Sequence, residues 1–170
     1  MSLGVNPDDT AVVALGSNMA GDYGSSEALL EAALARFAEA GLPILRRSSW
    51  WRSAAWPDPS VQEYRNGVVL VEARLAPDAL IRTLFMLEDA FGRTRGVRNA
   101  PRTLDLDLIA HGRIVSTDPE LTLPHPRAHE RLFVMGPLAE IAPQWRHPTL
   151  RQTAAELAAS AVVGRDASPM

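Results

Sequence analysis

The sequence of 170 residues contains no cysteine and no lysine, and each absence excludes a class of chemistry. Without cysteine there is no disulfide, no thiolate nucleophile and no thiolate ligand for zinc or an iron–sulfur cluster. Without lysine there is no Walker A phosphate loop and no Schiff-base amine. All 17 basic residues are arginine. We therefore expect any bound phosphate to be met by arginine side chains or by a metal ion.

Long hydrophobic runs are also absent, since the longest span only a few residues, as in Ala11 to Leu15. The first ten residues carry two acidic side chains and no basic ones, unlike a signal peptide. The net charge of −3 disfavours a general nucleic-acid binder. We expect one cytoplasmic domain over residues 10–163, acting as a monomer without membrane or nucleic-acid partners. Residues 1–9 and 164–170 are expected to be flexible termini.

The order of the periodic segments predicts a mixed α+β fold. Apolar, β-rich segments predict strands at residues 10–15, 44–53, 64–74 and 103–110. Helical periodicity predicts helices that begin near Ser25 and Pro77, and two further helices at residues 128–142 and 149–161. The order βαββαβ favours a ferredoxin-like antiparallel sheet with helices packed on one face and extra C-terminal helices.

Strict alternation from Leu104 to Leu108 is typical of a strand with one buried face. The leucines would then face the core, and Asp105 and Asp107 would share the other face, roughly 6.6 Å apart at a rise of about 3.3 Å per residue. Two neighbouring carboxylates repel each other, and a divalent cation such as Mg²⁺ relieves this repulsion. The alternative is a solvated strand face on which two acids happen to alternate.

Four arginines precede this strand within ten residues, at positions 93, 95, 98 and 102. The planar guanidinium group binds phosphate oxygens through two parallel hydrogen bonds. Together with the two aspartates, this segment favours phosphoryl or nucleotidyl transfer from a Mg²⁺–nucleotide complex. The alternative is a solvated loop whose arginines form surface ion pairs with Glu88 and Asp89.

The histidines are weaker indicators of function. His125 and His129 have a spacing that can chelate zinc on a helix, but Pro126 interrupts that helix and no acidic third ligand is evident. We interpret His125 as a phosphate or hydroxyl contact, or as a buried polar residue. His111 is expected in a turn and His147 at the surface.

A series of short motifs runs through the chain in a fixed order. These are Ala14-Leu15-Gly16-Ser17-Asn18, Tyr64-x-Asn66, Glu88-x-x-x-Gly92-Arg93-x-Arg95, Pro101-Arg102-Thr103-Leu104-Asp105-Leu106-Asp107-Leu108, Leu123-Pro124-His125, Arg131-x-Phe133 and Pro137-Leu138-x-Glu140-Ile141-Ala142-Pro143. Over about residues 12–150 the sequence resembles the 6-hydroxymethyl-7,8-dihydropterin pyrophosphokinases of folate biosynthesis. The resemblance implies transfer of diphosphate from ATP to the pterin hydroxymethyl group, release of AMP, and two Mg²⁺ ions.

The resemblance also implies roles for individual residues. It implies that Asp105 and Asp107 hold both metal ions, and that Arg93 and Arg102 assist the transfer. The implied ATP contacts are Glu88, Arg95, Arg102, His125 and Arg131. The implied pterin contacts are Ser53, Ala54, Trp56, Tyr64, Asn66 and Phe133. Among these, the Asn66 amide would read the pterin edge, and Tyr64 and Phe133 would flank the ring.

Three residues depart from the family pattern. Phe85 replaces a polar residue on the nucleotide side, Asn99 stands where an aromatic closes the loop, and Pro126 stands where an aromatic is common. We expect these departures to affect adenine contacts and loop closure. Two alternatives stay open: another two-metal nucleotide transferase, and a non-catalytic ferredoxin-like ligand-binding domain. The first is disfavoured because roughly ninety residues separate Gly16 from the aspartates, and the second leaves the aspartates unexplained.

Overall fold

The computed structural model describes residues 6–18, 23–54, 63–92 and 104–170. Its strands are β1 (Thr10–Ser17), β2 (Ile44–Arg47), β3 (Trp51–Ser53), β4 (Tyr64–Glu72), β5 (Asp105–His111), β6 (Ser116–Asp118), β7 (Leu121–Leu123) and β8 (Ser168–Pro169). Its α-helices are α1 (Ser26–Leu34), α2 (Pro77–Ala90), α3 (Leu132–Ile141) and α4 (Ala154–Ser160). In these described residues no helix has the length and apolar character needed to cross a bilayer.

The main sheet has the strand order β5-β1-β4-β3-β8, with β2 also paired to β4, and every pairing is antiparallel. Strands β6 and β7 form a separate hairpin. The mixed α+β class is therefore confirmed. The single strand predicted over residues 44–53 is instead β2 followed by β3. The chain divides there because the Ser48 hydroxyl, at 2.9 Å, accepts the Val68 N–H that a strand carbonyl would otherwise take.

The first two helices begin where their capping residues predict. The Ser25 hydroxyl accepts the Ala28 N–H at 3.1 Å, and Pro77 opens α2. The predicted helix at 128–142 is a short 3₁₀ turn followed by α3. The last helix is also shorter than predicted, because Thr153 and Glu156 cap it through a reciprocal pair of hydrogen bonds.

Helices cover both faces of the sheet, so the prediction of helices on one face is wrong. On the first face, α1 and α2 bury a cluster that includes Phe37, Leu80 and Leu106. On the second face, α3 and α4 bury a cluster that includes Val68 and Met135. We call these the closed face and the open face, because α3 covers only part of the second one.

Two adjacent tryptophans fix the β2–β3 junction to helices on opposite faces. The Trp50 indole N–H donates to Glu31 of α1 at 2.9 Å, on the closed face. The Trp51 indole N–H donates to Glu140 of α3 at 3.0 Å, on the open face. Strand β3 is thereby held from both sides, which sets the position of Ser53 at its end.

Both predicted flexible termini contain ordered elements. Residues 7–9 form a 3₁₀ turn, and its N-cap Asn6 accepts the Asp8 N–H at 3.0 Å. At the other end, Ser168 and Pro169 form β8, which pairs with β3 at the sheet edge. The C-terminal segment therefore contacts the same strand as the tryptophan junction.

Candidate active site

A row of residues crosses four strands on the open face. Strand register places Asp105 beside Gly16, Gly16 beside Asn66, and Asn66 beside Trp51. Asp107 follows Asp105 by two residues and therefore lies on the same face. Leu104, Leu106 and Leu108 are buried in the closed-face core, whereas both aspartates are half-buried. The predicted separation of leucines from carboxylates along this strand is confirmed.

This row borders an open cleft of ≈ 260 Å³, which we call the central cleft. Its lining residues are Ala14, Leu15, Gly16, Ser53, Ala54, Tyr64, Asn66, Asp105, Asp107, Arg131, Phe133 and Val134. Five of the six predicted pterin contacts thus meet both aspartates in one place. The sixth, Trp56, lies outside the described residues.

Asn66 presents a buried amide at the floor of the central cleft. Its Nδ2 donates to the Ser53 hydroxyl at 2.8 Å, which fixes the plane of the amide. A Cβ on Gly16 would lie 3.4 Å from Asn66 Oδ1, so the glycine leaves space beside that oxygen. The Gly16 role was missed from the sequence, although its Gly16-Ser17-Asn18 motif was the available signal.

Two aromatic side chains border the central cleft from different elements. Tyr64 begins β4, and Phe133 lies in the first turn of α3; both are half-buried. The Arg131 guanidinium carbon lies 5.9 Å from the centroid of the Phe133 ring. Aromatic walls with a polar floor suit a flat ring system that carries donors and acceptors at its edge.

Asp107 also borders a second opening, which we call the side groove. Its lining residues are Ile81, Leu84, Phe85, Leu106, Asp107, Leu108, Pro119, Glu120, Leu121, Thr122, His125 and Pro126. Two of the three departures from the family pattern, Phe85 and Pro126, lie in this groove. The central cleft and the side groove therefore share Asp107, whereas Asp105 lines the central cleft alone.

A β-bulge positions His125 beside the side groove. The β1–β5 register shifts between Val12 and Val13, which makes Ile109 the extra residue of β5. The Ile109 carbonyl then accepts the His125 backbone N–H at 2.8 Å. The bulge thus supplies the carbonyl that fixes the loop between two prolines.

His125 is a neutral hydrogen-bond donor near neutral pH. Burial lowers the pKa of its imidazole, the nearby Arg131 lowers it further, and Asp105 opposes them. Its Nδ1 accepts the Arg127 N–H at 3.2 Å, so the ring proton of the neutral form resides on Nε2. This chemistry suits a contact to a hydroxyl or phosphate oxygen.

Glu88, predicted as a nucleotide contact, is fully buried on the closed face. Its carboxylate accepts the Leu106 N–H at 2.8 Å, at the residue between the two aspartates. Its side chain lines neither of the two openings described, and its contact with the nucleotide stays a prediction. Glu88 ties α2 to the centre of β5, which carries the aspartates.

The other histidines also differ from their predicted settings. His147 is buried, and its Nδ1 accepts the Leu150 N–H at 3.0 Å. His111 ends β5, with its Nε2 2.8 Å from the Leu75 carbonyl oxygen. Within the ranges that the structure describes, no cluster of three or more histidine, aspartate or glutamate side chains could hold a metal ion. A zinc site at His125 and His129 therefore gains no support.

The arginine segment before β5 lies outside the described residues. The implied roles of Arg93, Arg95 and Arg102 therefore stay predictions. Asn99, the third departure from the family pattern, lies outside them as well. The site that can be described consists of the aspartate pair, the two openings beside it, Arg131 and His125.

Two openings that share Asp107, with Asp105 beside it, fit an enzyme that joins two substrates. The family model for 7,8-dihydro-6-hydroxymethylpterin-pyrophosphokinase (HPPK) matches residues 12–143. The chain belongs to the HPPK family.

Curated relatives agree with this assignment, and a solved structure agrees with the fold. A 2-amino-4-hydroxy-6-hydroxymethyldihydropteridine pyrophosphokinase from Synechocystis sp. is 43% identical over 148 residues, covering 86% of this chain and 73% of the relative. One of the same name from Pseudomonas aeruginosa is 36% identical over 157 residues, covering 92% and 95%. The crystal structure of a Plasmodium falciparum HPPK-DHPS triple mutant matches with a TM-score of 0.68 at 14% identity, covering 88% of this chain. This chain spans only 44% of that longer protein.

Proposed function

We propose that this protein transfers diphosphate from ATP to the hydroxymethyl group of 6-hydroxymethyl-7,8-dihydropterin, giving AMP and the pterin diphosphate for folate biosynthesis. The observation that carries the proposal is an aspartate pair in the central cleft, one member of which, Asp107, also lines the side groove, in a chain of the HPPK family. A non-catalytic ligand-binding domain would need neither the pair nor the second opening.

The pterin fits the chemistry of the central cleft. Its flat ring would pack against Tyr64 and Phe133, and its polar edge would meet the Asn66 amide. An amide both donates and accepts, which matches the mixed edge of a pterin. The Ser53 hydroxyl would keep the amide in the required plane through the 2.8 Å hydrogen bond. The role of Trp56 stays a prediction.

The nucleotide fits the side groove. Phe85 and Pro126 provide apolar surface for a purine ring, and His125 provides a neutral donor at the same groove. Arg131 lines the central cleft beside both aspartates, where it would meet phosphate oxygens. We assign Arg93, Arg95 and Arg102 to the phosphates as well, on the family resemblance alone. Glu88 is also assigned to ATP on the resemblance alone, and it accepts the Leu106 N–H at 2.8 Å.

Asp105 and Asp107 fit Mg²⁺ by their donor chemistry. Both are carboxylates on one strand face, both are half-buried, and both border the central cleft. Mg²⁺ prefers such hard oxygen ligands and shares them with substrate phosphates. We therefore assign both residues to two Mg²⁺ ions, which when bound would neutralise charge on the triphosphate.

In the proposed reaction, the pterin hydroxyl oxygen forms a bond to the β-phosphorus of ATP. The bond from that phosphorus to the α–β bridging oxygen breaks, the hydroxyl proton passes to solvent, and AMP leaves with the bridging oxygen. Asn66 orients the pterin, and Arg131 binds phosphate oxygens on which negative charge accumulates. Holding the two substrates in adjoining openings supplies most of the required orientation.

Product analysis tests the proposal. With ATP, Mg²⁺ and 6-hydroxymethyl-7,8-dihydropterin, a chromatogram should show AMP and pterin diphosphate in equal amounts. ADP would indicate attack at the γ-phosphorus, and pyrophosphate with an adenylylated pterin would indicate attack at the α-phosphorus. Either product, or no pterin-dependent consumption of ATP, would overturn the proposal. EDTA should abolish turnover.

We further propose that the sheet is the ferredoxin-like βαββαβ arrangement, with α3 and α4 added after it. In this arrangement β1 is the first strand of the motif, β2 and β3 together are the second, β4 is the third and β5 is the fourth. The observed order supports it, because β5 lies next to β1, and β4 lies between β1 and the pair β2 and β3. That the protein acts as a monomer in the cytoplasm, without nucleic-acid partners, stays a prediction from the sequence.

A further inference from the structure

The C-terminal segment, residues 162–170, lies beyond the region that the family model matches and contacts two walls of the central cleft. On the helical side, the Val163 carbonyl accepts the Leu132 N–H at 2.9 Å. Gly164 follows with φ +67°, and a Cβ there would lie 2.5 Å from the Phe133 ring. The segment therefore packs directly against the aromatic residue that borders the cleft.

The same segment then crosses to the sheet side of the cleft. Asp166 Oδ2 accepts the backbone N–H of Ala54 at 2.6 Å. Strand β8 pairs with β3 immediately afterwards, and the Met170 N–H donates to the Trp50 carbonyl at 3.1 Å. Ala54 lines the central cleft at the point where β3 ends. A carboxylate on a backbone N–H is a charge-assisted hydrogen bond, roughly twice as strong as a neutral one.

The hydrogen bond between Asp166 and Ala54 is linked to the Asn66 amide through Ser53. Asp166 fixes Ala54, and the preceding Ser53 receives the Asn66 Nδ2 hydrogen bond at 2.8 Å. Among the described residues, the hydrogen bonds and packing contacts of the segment reach Ala54 and Phe133 of the central cleft and no residue that lines the side groove. We therefore expect the segment to act on the central cleft.

We propose that Asp166 is a positioning residue for the pterin substrate, acting through the Ala54 backbone to hold the end of β3 in its binding geometry. The inference rests on the proposed function, since it requires pterin in the central cleft. Asp166 touches no substrate, and its effect should be confined to the affinity for pterin. Affinity for the nucleotide should be independent of it.

The test compares three variants with the wild type. Asp166→Ala removes the acceptor, Asp166→Asn keeps an acceptor oxygen without the charge, and Arg165→Ala changes an exposed neighbour as a control. Amide hydrogen exchange of Ala54 reports the contact directly. Calorimetry with the dihydropterin and, separately, with a non-hydrolysable ATP analogue and Mg²⁺ reports each affinity.

We expect Asp166→Ala to accelerate Ala54 exchange and to raise the pterin Kd about tenfold, with the ATP-analogue Kd within twofold of wild type. Asp166→Asn should recover most of the pterin affinity, and Arg165→Ala should match wild type. Unchanged Ala54 exchange, equal losses for both ligands, or an Asp166→Asn variant as weak as Asp166→Ala would overturn the inference while leaving the proposed function standing. A wild-type protein that binds no dihydropterin would instead overturn the proposed function, and this inference with it.

Discussion

The closed and open faces of the sheet are built from the same strands but carry different kinds of residue. Strand β5 gives Leu106 and Leu108 to the closed face and Asp105 and Asp107 to the open one, and Leu104 just before it is also buried on the closed face. Alternation along a strand makes this possible, because successive side chains point to opposite faces. Burial on one side therefore supports a strand whose other side can expose two carboxylates.

The two faces also differ in whether their buried polar groups border a cleft. On the closed face, the buried Glu88 carboxylate accepts a backbone N–H of β5 and has no exposed surface. On the open face, Asn66 and Ser53 bond to each other while lining a cleft. The comparison indicates that the contact of Glu88 with β5 mainly sets stability and that the Asn66–Ser53 pair mainly sets ligand binding. Substitutions on one strand can separate the two effects.

The largest expected effect is the loss of an aspartate from the open face. Asp105→Asn or Asp107→Asn should lower kcat on the order of a thousandfold, about 4 kcal/mol in the barrier, because each carboxylate is assigned to Mg²⁺. Thermal unfolding should show a melting temperature at or slightly above that of wild type, because one of two repelling charges is gone. A variant that unfolds, or that keeps more than a tenth of the activity, would contradict the assignment.

The matched change on the closed face of the same strand is Leu106→Ala. We expect it to lower the free energy of unfolding by about 2–5 kcal/mol, because it leaves a cavity in the core beneath α2. Urea denaturation measures this loss. Because Leu106 also lines the side groove, the control is the dihydropterin affinity, which should stay near wild type in the folded protein. A purely functional defect with full stability would contradict the division between the faces.

A second comparison concerns the amide on the open face. Asn66→Ala should raise the dihydropterin Kd roughly tenfold to a hundredfold, since an unpaired buried group costs about 1–3 kcal/mol. Ser53→Ala should have a smaller effect, because it removes only the group that orients the amide. Calorimetry with an ATP analogue serves as the control, and an equal loss of nucleotide affinity would indicate a different role for Asn66.

Two glycines offer a smaller and sharper contrast. A Cβ at Gly67 would lie 2.5 Å from the Trp50 ring on the closed face, so Gly67→Ala should destabilise the fold by about 1–3 kcal/mol. A Cβ at Gly16 would lie 3.4 Å from Asn66 Oδ1, an ordinary contact, so Gly16→Ala should fold normally. Its methyl group would occupy the cleft and weaken pterin binding several-fold. Denaturation and calorimetry on both variants test this contrast. A larger stability loss in Gly16→Ala than in Gly67→Ala, or a larger loss of pterin affinity in Gly67→Ala, would contradict it.

The smallest expected effect is a pH dependence of stability that arises from the buried histidines His125 and His147. Burial lowers the pKa of His147, with His129 adding to the effect, and burial likewise lowers the pKa of His125. Below the ordinary value of 6.5 the unfolded chain takes up these protons before the folded one does. Stability should therefore be full above pH 6.5 and should decline as pH falls through the lowered values. In His147→Asn an amide oxygen replaces Nδ1, so urea denaturation between pH 5 and pH 8 should give a flatter profile; an equally steep profile would exclude His147 as a source.

Much of the fold could be predicted because its signals are local. The alternation around Asp105, the Ser25 cap and Pro77 each depend on a few neighbouring residues. The covering of both faces could not be predicted, because periodicity shows which side of a helix is apolar but not which side of the sheet receives it. Ser48 illustrates another limit, since its hydroxyl interrupts a strand by bonding to Val68, twenty positions away.

The site divides in the same way. The aspartate pair and Asn66 were predicted because motifs mark them. Glu88 was predicted as a ligand contact, and its burial depends on how α2 packs against β5, which no local pattern reveals. Asp166 was missed because its partner, the Ala54 N–H, is 112 positions away. A polar segment near the end of a chain is predicted to be flexible as long as its pairing with a strand distant in sequence is unknown.

The most direct test of the account is to locate the divalent ion. Mn²⁺ in place of Mg²⁺ broadens nearby amide resonances, so the protein would be titrated with Mn²⁺ together with an ATP analogue and dihydropterin. The account predicts that the amides of Ala14, Gly16, Asp105 and Asp107 broaden first, while those of Leu30 and Leu42 on the closed face stay sharp. Broadening centred on the histidines near His129, or none at substoichiometric Mn²⁺, would contradict the claim that both substrates meet at the aspartate pair.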